Sequence, residues 1–508
     1  MNNLILGIDI GTTGCKSTVY NIKGEKIISG YKEYSLSHPK PNWAEIDPEI
    51  WWEAVIYTMK SVLSRKVNLS NIKSIGISCT NALIAVNKKG KPLRKAIMQI
   101  DQRTNKEMDW IKNNLSEDEI FKITGNRVAP GTFSAPIILW LKKNEPDIFA
   151  ETYKFLVPTG YIVNKLTGEF TIDPSRASTT MLFDIESKKW STKLIQNMKI
   201  SRDKLPEILP SDNIAGYVTK NAAHLTGLKE GTHIATGCMD TVAAALGSGI
   251  VEPGDVFSIL GTVGRLGVCI NEPSFDNRFI NCCHGVPGQW LSMAAINGTG
   301  ASYRWFKNNF AQLETSWSQI KELDPYEILN DLASKSPPGA KGLIYLPYIA
   351  AERSPIWSHN AKGAFLGINY IHDKSDFVRA LLEGISYAFK HNLEIFKSKL
   401  KIKFEDLTIT GGGAKSNLWR QILADILNLN ILLPDNIETE TLGAAYLAGK
   451  ASGLIEEKEI FQPKVIDKKV PNQNNHNIYN GLYDIYKHLH INLSDINKKI
   501  NYIQNQYY

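Results

Sequence analysis

The run LTITGGGAKSNLWRQILAD spans residues 407–425. An apolar strand pattern, Leu407 to Thr410, enters three glycines, Gly411, Gly412 and Gly413. An amphipathic helix pattern follows. A strand that turns through glycines into a helix brings backbone close to something planar or anionic, because no Cβ blocks the approach and the helix start offers N–H groups. Two further glycine turns repeat the theme, GIDIGTTGCK at 7–16 and ILGTVGR at 259–265. Three such turns spread over the chain imply one nucleotide held between two lobes.

The length of 508 residues exceeds what one core supports, so two large domains are expected. Pro253-Gly254 punctuates the chain, and the boundary is placed near Gly249–Gly254. This gives an N-terminal domain over 1–250, a C-terminal domain over 251–455 and a helical extension over 456–508. The net charge of +7 is small and its lysines are scattered, which excludes a nucleic-acid footprint. The N-terminal apolar run is broken by Asp9 and has no basic flank, and no apolar stretch reaches membrane-spanning length. Six cysteines without CxxC spacing fit a reducing compartment, so a cytoplasmic protein is expected. Cys282-Cys283-His284 lacks zinc-ligand spacing and reads as strand.

Each glycine turn lies in a regular pattern. Residues 4–10 and 16–21 read as a β-hairpin around Gly11 and Gly14, with a third strand over Glu25–Glu33. Asp47 and Pro48 suit the start of a helix whose apolar face carries Trp52, Val55, Ile56 and Met59. Ile72–Ser78 is a buried strand. The second half repeats this order: strands over Asp255–Leu260 and Arg265–Ile270, a helix over Phe377–Lys399, the strand at 407, and a helix over Leu442–Gly453. A last helix near Ile478–Leu493 and a poorly ordered tip close the chain. Gly443 to Lys450 only superficially matches a P-loop and reads as helix.

The chemistry-bearing residues follow from these turns. Thr12, Thr13 and the N–H groups of the first turn suit an anion. Asp9 beside such a nest would repel phosphate unless a cation intervenes, which points to Mg²⁺ reached through water. An ordinary hairpin turn with a capping Asp is the other reading. Asp240 precedes a small-residue helix in ATGCMDTVAAALGSG. It suits an N-cap, and at the mouth of a cleft it also suits a base for a hydroxyl that attacks phosphorus.

With these motifs in place, the chain resembles the FGGY family of carbohydrate kinases, within the actin-like ATPase superfamily, over roughly residues 1–455. GIDIGTTGCK resembles the family's first phosphate loop, ILGTVGR the second and GGGAKSNLW the adenosine loop. GAFLGINYIHDKSDFVRALLEG and AERSPIW resemble its C-terminal signatures. The resemblance implies an α/β protein of two ribonuclease-H-like domains around a cleft, and ATP-dependent phosphorylation of a small sugar or polyol. It puts Asp240 at the catalytic base. It counts Gly11, Thr12, Thr13, Lys16, Gly261, Thr262, Gly300, Arg304, Gly412, Gly413, Ala414 and Asn417 with the nucleotide site, and it allows a homodimer. A non-catalytic nucleotide-binding module would not need Asp240.

Within the family, PNWAEIDPEIWW, the segment 281–306 and AERSPIW look xylulokinase-like, which makes D-xylulose the first substrate expected, ahead of gluconate, another ketopentose or polyol, or a signalling sugar. Departures bear on the sugar rather than the chemistry. Cys79-Thr80-Asn81-Ala82-Leu83 replaces the xylulokinase GQMHG loop and lacks its histidine. Val263 replaces a usual Ser and Ile137 a common Lys. Thr80, Asn81, Trp43 and Asp240 are the candidate substrate residues. Trp43 also suits core packing beneath the following helix. Glu352-Arg353 suits either a cleft wall or a turn ion pair.

Overall fold

The computed structural model describes residues 3–129, 133–400, 403–436, 438–456 and 461–507. Strands β1 (Leu4–Ile10), β2 (Gly14–Asn21) and β3 (Lys26–Glu33) form the expected antiparallel meander. The Asp47 side chain accepts from Glu49 N at 3.0 Å and starts the helix α1 (Pro48–Tyr57). Strand β4 (Ile72–Cys79) returns parallel to β1. Strands β5 (Ile214–Tyr217), β6 (His233–Ala235) and β7 (Cys238–Met239) complete the first sheet, ordered β5-β6-β4-β1-β2-β3 with β7 also on β4.

The second half rebuilds this order. Strands β8 (Val256–Leu260), β9 (Gly264–Ile270), β10 (Ile280–Cys283) and β11 (Trp290–Ile296) are antiparallel neighbours. Strand β12 (Asp406–Thr410) then lies parallel to β8, and β13 (Asn430–Pro434) parallel to β12. Each half therefore has a first strand with a hairpin partner on one side and a later parallel strand on the other. Parallel neighbours need a crossover, and helices supply it on both sheets. The α/β duplication expected from the glycine turns is what forms.

Two helices join the halves. Helix α2 (Asp240–Gly247) leaves β7, and α3 (Thr439–Ala451) packs across both α2 and the first sheet. Their contact is backbone-close. A Cβ on Gly443 would collide with the Ala243 carbonyl, and one on Gly247 with the Thr439 carbonyl. The P-loop-like run 443–450 is thus helix, as read.

The C-terminus differs from expectation. Beyond residue 455 the chain first supplies an edge strand, β14 (Val465–Lys469), antiparallel to β13. Helix α4 (Gln473–Asn492) follows and buries Tyr479, Tyr483 and Tyr486, so the extension is not helical alone. The expected loose tip is a further helix, α5 (Ser494–Tyr507). Its Ile496, Ile500 and Ile503 are spaced at three and four residues, a helical period that the Asn and Lys content masked. All six cysteines are buried free thiols, and Cys282-Cys283 ends a strand as expected. Among the described residues, no helix is long and apolar enough to cross a membrane.

Candidate active site

The glycine run closes one wall of a cavity of about 470 Å³ in the second half. Gly261, Thr262, Gly300, Arg304, Gly412 and Gly413 all line it, so six of the expected nucleotide residues meet in one place. Gly411 takes φ +85°, a conformation that favours glycine. A Cβ on Gly413 would stand 2.8 Å from Trp419 and 2.9 Å from Leu260, whereas Gly412 faces open space. The helix does not start at once: a 3₁₀ turn over Gly412–Lys415 intervenes, and the Ser416 side chain accepts from Trp419 N at 3.2 Å. One of the N–H groups expected to face a ligand is therefore already satisfied. The second loop is fixed to the helix over Gly300–Phe310, whose Gly300 N and Ala301 N donate to the carbonyls of Gly261 and Thr262 at 2.9 and 3.0 Å.

Aromatic rings that sequence reasoning missed complete the cavity. Tyr303 lies 4.9 Å from Tyr326 and 6.1 Å from Trp419, and its hydroxyl donates to Asn330 Oδ1 at 3.0 Å. Planar walls of this kind suit a purine. Ala414 and Asn417 do not line the cavity. The Ala414 carbonyl accepts from Arg420 Nη1 at 2.5 Å and Asn417 Oδ1 from Arg420 Nη2 at 3.3 Å. Arg420 thereby braces the turn from behind.

The first loop lies on the other half. Gly11 N donates to Gly14 O at 2.9 Å, and Tyr34 fixes the turn through Gly11 O and Thr13 O. Lys16 reaches Glu438 at 2.8 Å, which ties this hairpin to the segment before α3. Asp9, one residue before the end of β1, accepts from the Ser78 hydroxyl at 2.7 Å. Burial, with the Glu440 and Asp240 carboxylates adding to it, pushes the Asp9 pKa up to about 8. A buried carboxylate pressed by two others suits a divalent cation, which would offset that repulsion. No three His, Cys, Asp or Glu side chains cluster tightly enough to chelate an ion among the described residues. Mg²⁺, which keeps most of its water and takes one or two carboxylates with phosphate oxygens, is the ion that Asp9 could hold.

Asp240 stands at the first turn of α2. The N-cap position belongs to Met239, so Asp240 is the first helical residue rather than the cap. Its Oδ1 accepts from Thr241 N at 2.7 Å and sits 3.4 Å from Arg176 Nη2. The carboxylate is 38% exposed, open enough to meet a ligand. Arg176 itself is buried and donates to the Cys79 carbonyl, next to Thr80. Arg176 stands on a short helical turn, Pro174–Ala177, that Asp173 caps by accepting from the Ser175 and Arg176 N–H groups. No periodicity marked it in the sequence.

The substrate candidates lie on one edge. Thr80 Oγ1 is 3.2 Å from Thr12 Oγ1 and accepts from Gln99 Nε2 at 3.1 Å, so the expected sugar loop touches the first phosphate loop directly. Gln99 N donates to Asn81 O at 3.0 Å, and Gln102 N to Asn42 O at 2.9 Å. Trp43 packs not under α1 but against Trp140, ring centroids 5.5 Å apart, with the Arg103 guanidinium 3.6 Å over its ring. Asp101 and Glu45 hold Arg103 at 2.7 and 2.8 Å, so Glu45 is engaged in an ion pair. A polar residue, Gln99, and the charged Asp101 and Arg103 shortly after the apolar triplet Ala96–Met98 were the available signal. Glu352 is no simple turn partner of Arg353. Its Oε1 accepts from Asn297 N and Arg353 N, both at 2.8 Å, and burial lifts its pKa to about 8. His284 caps the Val286 N–H, and burial holds its pKa down to about 4.

Comparison with known proteins agrees with this geometry. Residues 4–247 match the N-terminal domain model of the FGGY family of carbohydrate kinases, and residues 257–452 match the C-terminal domain model. A xylulose kinase of Staphylococcus xylosus is 32% identical over 95% of this chain and 99% of its own. A gluconokinase of Bacillus subtilis is 29% identical over 90% of this chain and 89% of its own. The solved xylulose kinase of Lactobacillus acidophilus superposes with a TM-score of 0.89 at 26% identity, covering 98% of this chain and 100% of that one. A duplicated α/β frame with glycine loops on both halves, matched over nearly its whole length, belongs to the FGGY family of carbohydrate kinases, and this chain is an ATP-dependent sugar kinase of that family.

Proposed function

We propose that this kinase transfers the γ-phosphoryl group of ATP to a hydroxyl of a ketopentose, with D-xylulose as the substrate, and that Asp240 is the general base. The observation that carries the reading is the position of Asp240. It opens the helix that joins the halves, its carboxylate is accessible, and its charge acts on Asp9 and Glu440 on one side and Arg265 on the other. Phosphoryl transfer needs positioning and charge compensation more than covalent chemistry. Thr12, Thr13 and Lys16 on one half, and Gly261, Thr262 and Arg304 on the other, would hold the polyphosphate. Tyr303, Tyr326 and Trp419 would flank the base. Asp9 would hold Mg²⁺, which neutralises charge on the β- and γ-oxygens. Arg176 keeps the Asp240 carboxylate turned toward Cys79 and Thr80, where the acceptor would lie.

The xylulose kinase relatives support the named sugar. The gluconokinase relatives, aligned over about nine-tenths of the chain, support an acidic sugar as the second reading. A coupled ADP-release assay over D-xylulose, other ketopentoses, gluconate and glycerol separates them. The highest kcat/KM is expected with D-xylulose. Asn81→Ala should lower it by about 5- to 150-fold, the loss of one buried hydrogen bond to a hydroxyl. A preference for gluconate would remove the named sugar and leave the family assignment standing.

A further inference from the structure

The second strand of the second sheet starts with Gly264 and Arg265, directly after the Gly261–Gly264 turn. A Cβ on Gly264 would strike Thr299 and Phe389, so that side faces the interior. Alternation along the strand puts Arg265 on the other face, toward Asp240. Its guanidinium makes one hydrogen bond among the described residues, a long one of 3.5 Å to the Gly264 carbonyl, and no ion pair. Arg353 lies beside it. Arg265 pairs with Ala295 across the sheet, and Ser354 N donates to that same Ala295 carbonyl at 3.0 Å. Arg353 Nε donates to Asn297 Oδ1 at 2.7 Å. Glu352 makes no ion pair with either guanidinium among the described residues: its Oε1 accepts from two backbone N–H groups, and it acts on Arg353 only as a nearby charge. Burial and the Arg265 charge bring the Arg353 pKa down to about 9 against the pull of Glu352, and burial lowers that of Arg265 against the pull of Asp240.

Two adjacent guanidiniums with no carboxylate in ion-pair contact among the described residues are costly unless an anion reaches them. The anion that must arrive there is set by the neighbours. The Gly261–Gly264 turn lies on one side of Arg265 and the proposed base on the other. The proposed reaction forms a bond from the acceptor oxygen to Pγ and breaks the bond from Pγ to the bridging oxygen of ADP. The acceptor proton goes to Asp240 and the bond electrons leave with ADP. Negative charge sits on the three equatorial oxygens throughout.

We propose that Arg265, steadied by Arg353, is a further catalytic residue that binds the equatorial oxygens of the phosphoryl group in transit between ATP and the acceptor. This rests on the kinase reading above. A ground-state role in holding ADP, or a role in reading an anionic acceptor, makes different demands, and the experiment separates them.

Arg265→Gln and Arg265→Lys would be compared with wild type by steady-state kinetics. Tryptophan fluorescence titrations would use ADP alone, and ADP with aluminium fluoride and D-xylulose. Arg265→Gln should lower kcat by about 10³-fold or more and leave both KM values near wild type, as for other arginines that stabilise this transition state. Arg265→Lys should recover part of the rate. The aluminium fluoride complex should bind far more weakly to Arg265→Gln, while ADP alone binds as to wild type. Unchanged kcat with a raised acceptor KM would overturn the proposal, as would equal loss of ADP alone. Should Arg265→Gln melt well below wild type, Arg265→Met, which keeps the aliphatic volume, is judged by the same criteria. A wild type that phosphorylates no acceptor would refute the kinase reading instead.

Discussion

Asp9 is the penultimate residue of β1, with Glu440 and Asp240 both pushing on its charge. Burial and those two carboxylates raise its pKa from 3.8 to about 8, against the Ser78 hydroxyl and Lys16, which pull the other way. A carboxyl whose pKa is higher folded than unfolded binds its proton more tightly in the fold. Its contribution to stability is complete below the unfolded value and is lost as pH rises through about 8. The melting temperature of nucleotide-free enzyme should therefore fall as pH rises from 3.8 to about 8 and lose nothing more from this group above it, and Asp9→Asn should flatten that slope. Thermal melts across the range check this, and an unchanged slope in Asp9→Asn would remove Asp9 from the account. Mg²⁺ with ADP should stabilise wild type more at the alkaline end, where the ion no longer competes with the proton. At this scale the sequence singled out Asp9 and Asp240 as candidates, because each closes an apolar run beside glycine or small residues. It did not show Arg176 or Arg103, whose meaning depends on what folds against them.

The crossing of α2 and α3 fixes where Asp240 stands. Gly443 meets Ala243 and Gly247 meets Thr439 with no room for a Cβ on either side. Gly443→Ala should cost about 1–3 kcal/mol through overpacking and should lower kcat by moving the first turn of α2. Gly481→Ala is the control. That glycine lies within α4 with nothing near its missing Cβ, so the change should be neutral or stabilising by up to about 1 kcal/mol. Chemical denaturation measures both, and equal stability of the two variants would mean that the crossing is not tight. Hairpins and capped helices were legible because their signals are local: Asp47-Pro48 at α1, or the glycines between β1 and β2. The edge strand β14 and the helix α5 were not. Val465–Lys469 alternates weakly and is identified by pairing with β13, and α5 hides its isoleucine spacing among Asn and Lys.

Over the whole molecule, the two sheets are one plan used twice, and the proposed chemistry would take place where the copies face each other. The first loop and Asp9 come from one copy, the cavity with Gly261, Gly300 and Gly412 from the other, and Asp240 from the helix between. Buried bonds hold the halves together away from the site. Asn126 Oδ1 accepts from Asn281 N at 2.8 Å, and Asn281 Nδ2 donates to the Gly125 carbonyl at 2.6 Å. The duplication was legible from three glycine turns in order, whereas the contacts that set the halves face to face join residues far apart in the chain. The most direct test of the central claim is a single-turnover measurement of sugar-phosphate formation from ATP, by rapid quench, for wild type and Asp240→Asn. Loss of a general base should slow the transfer by about 10²–10⁴-fold with ATP binding retained. Near-wild-type transfer by Asp240→Asn would contradict the account.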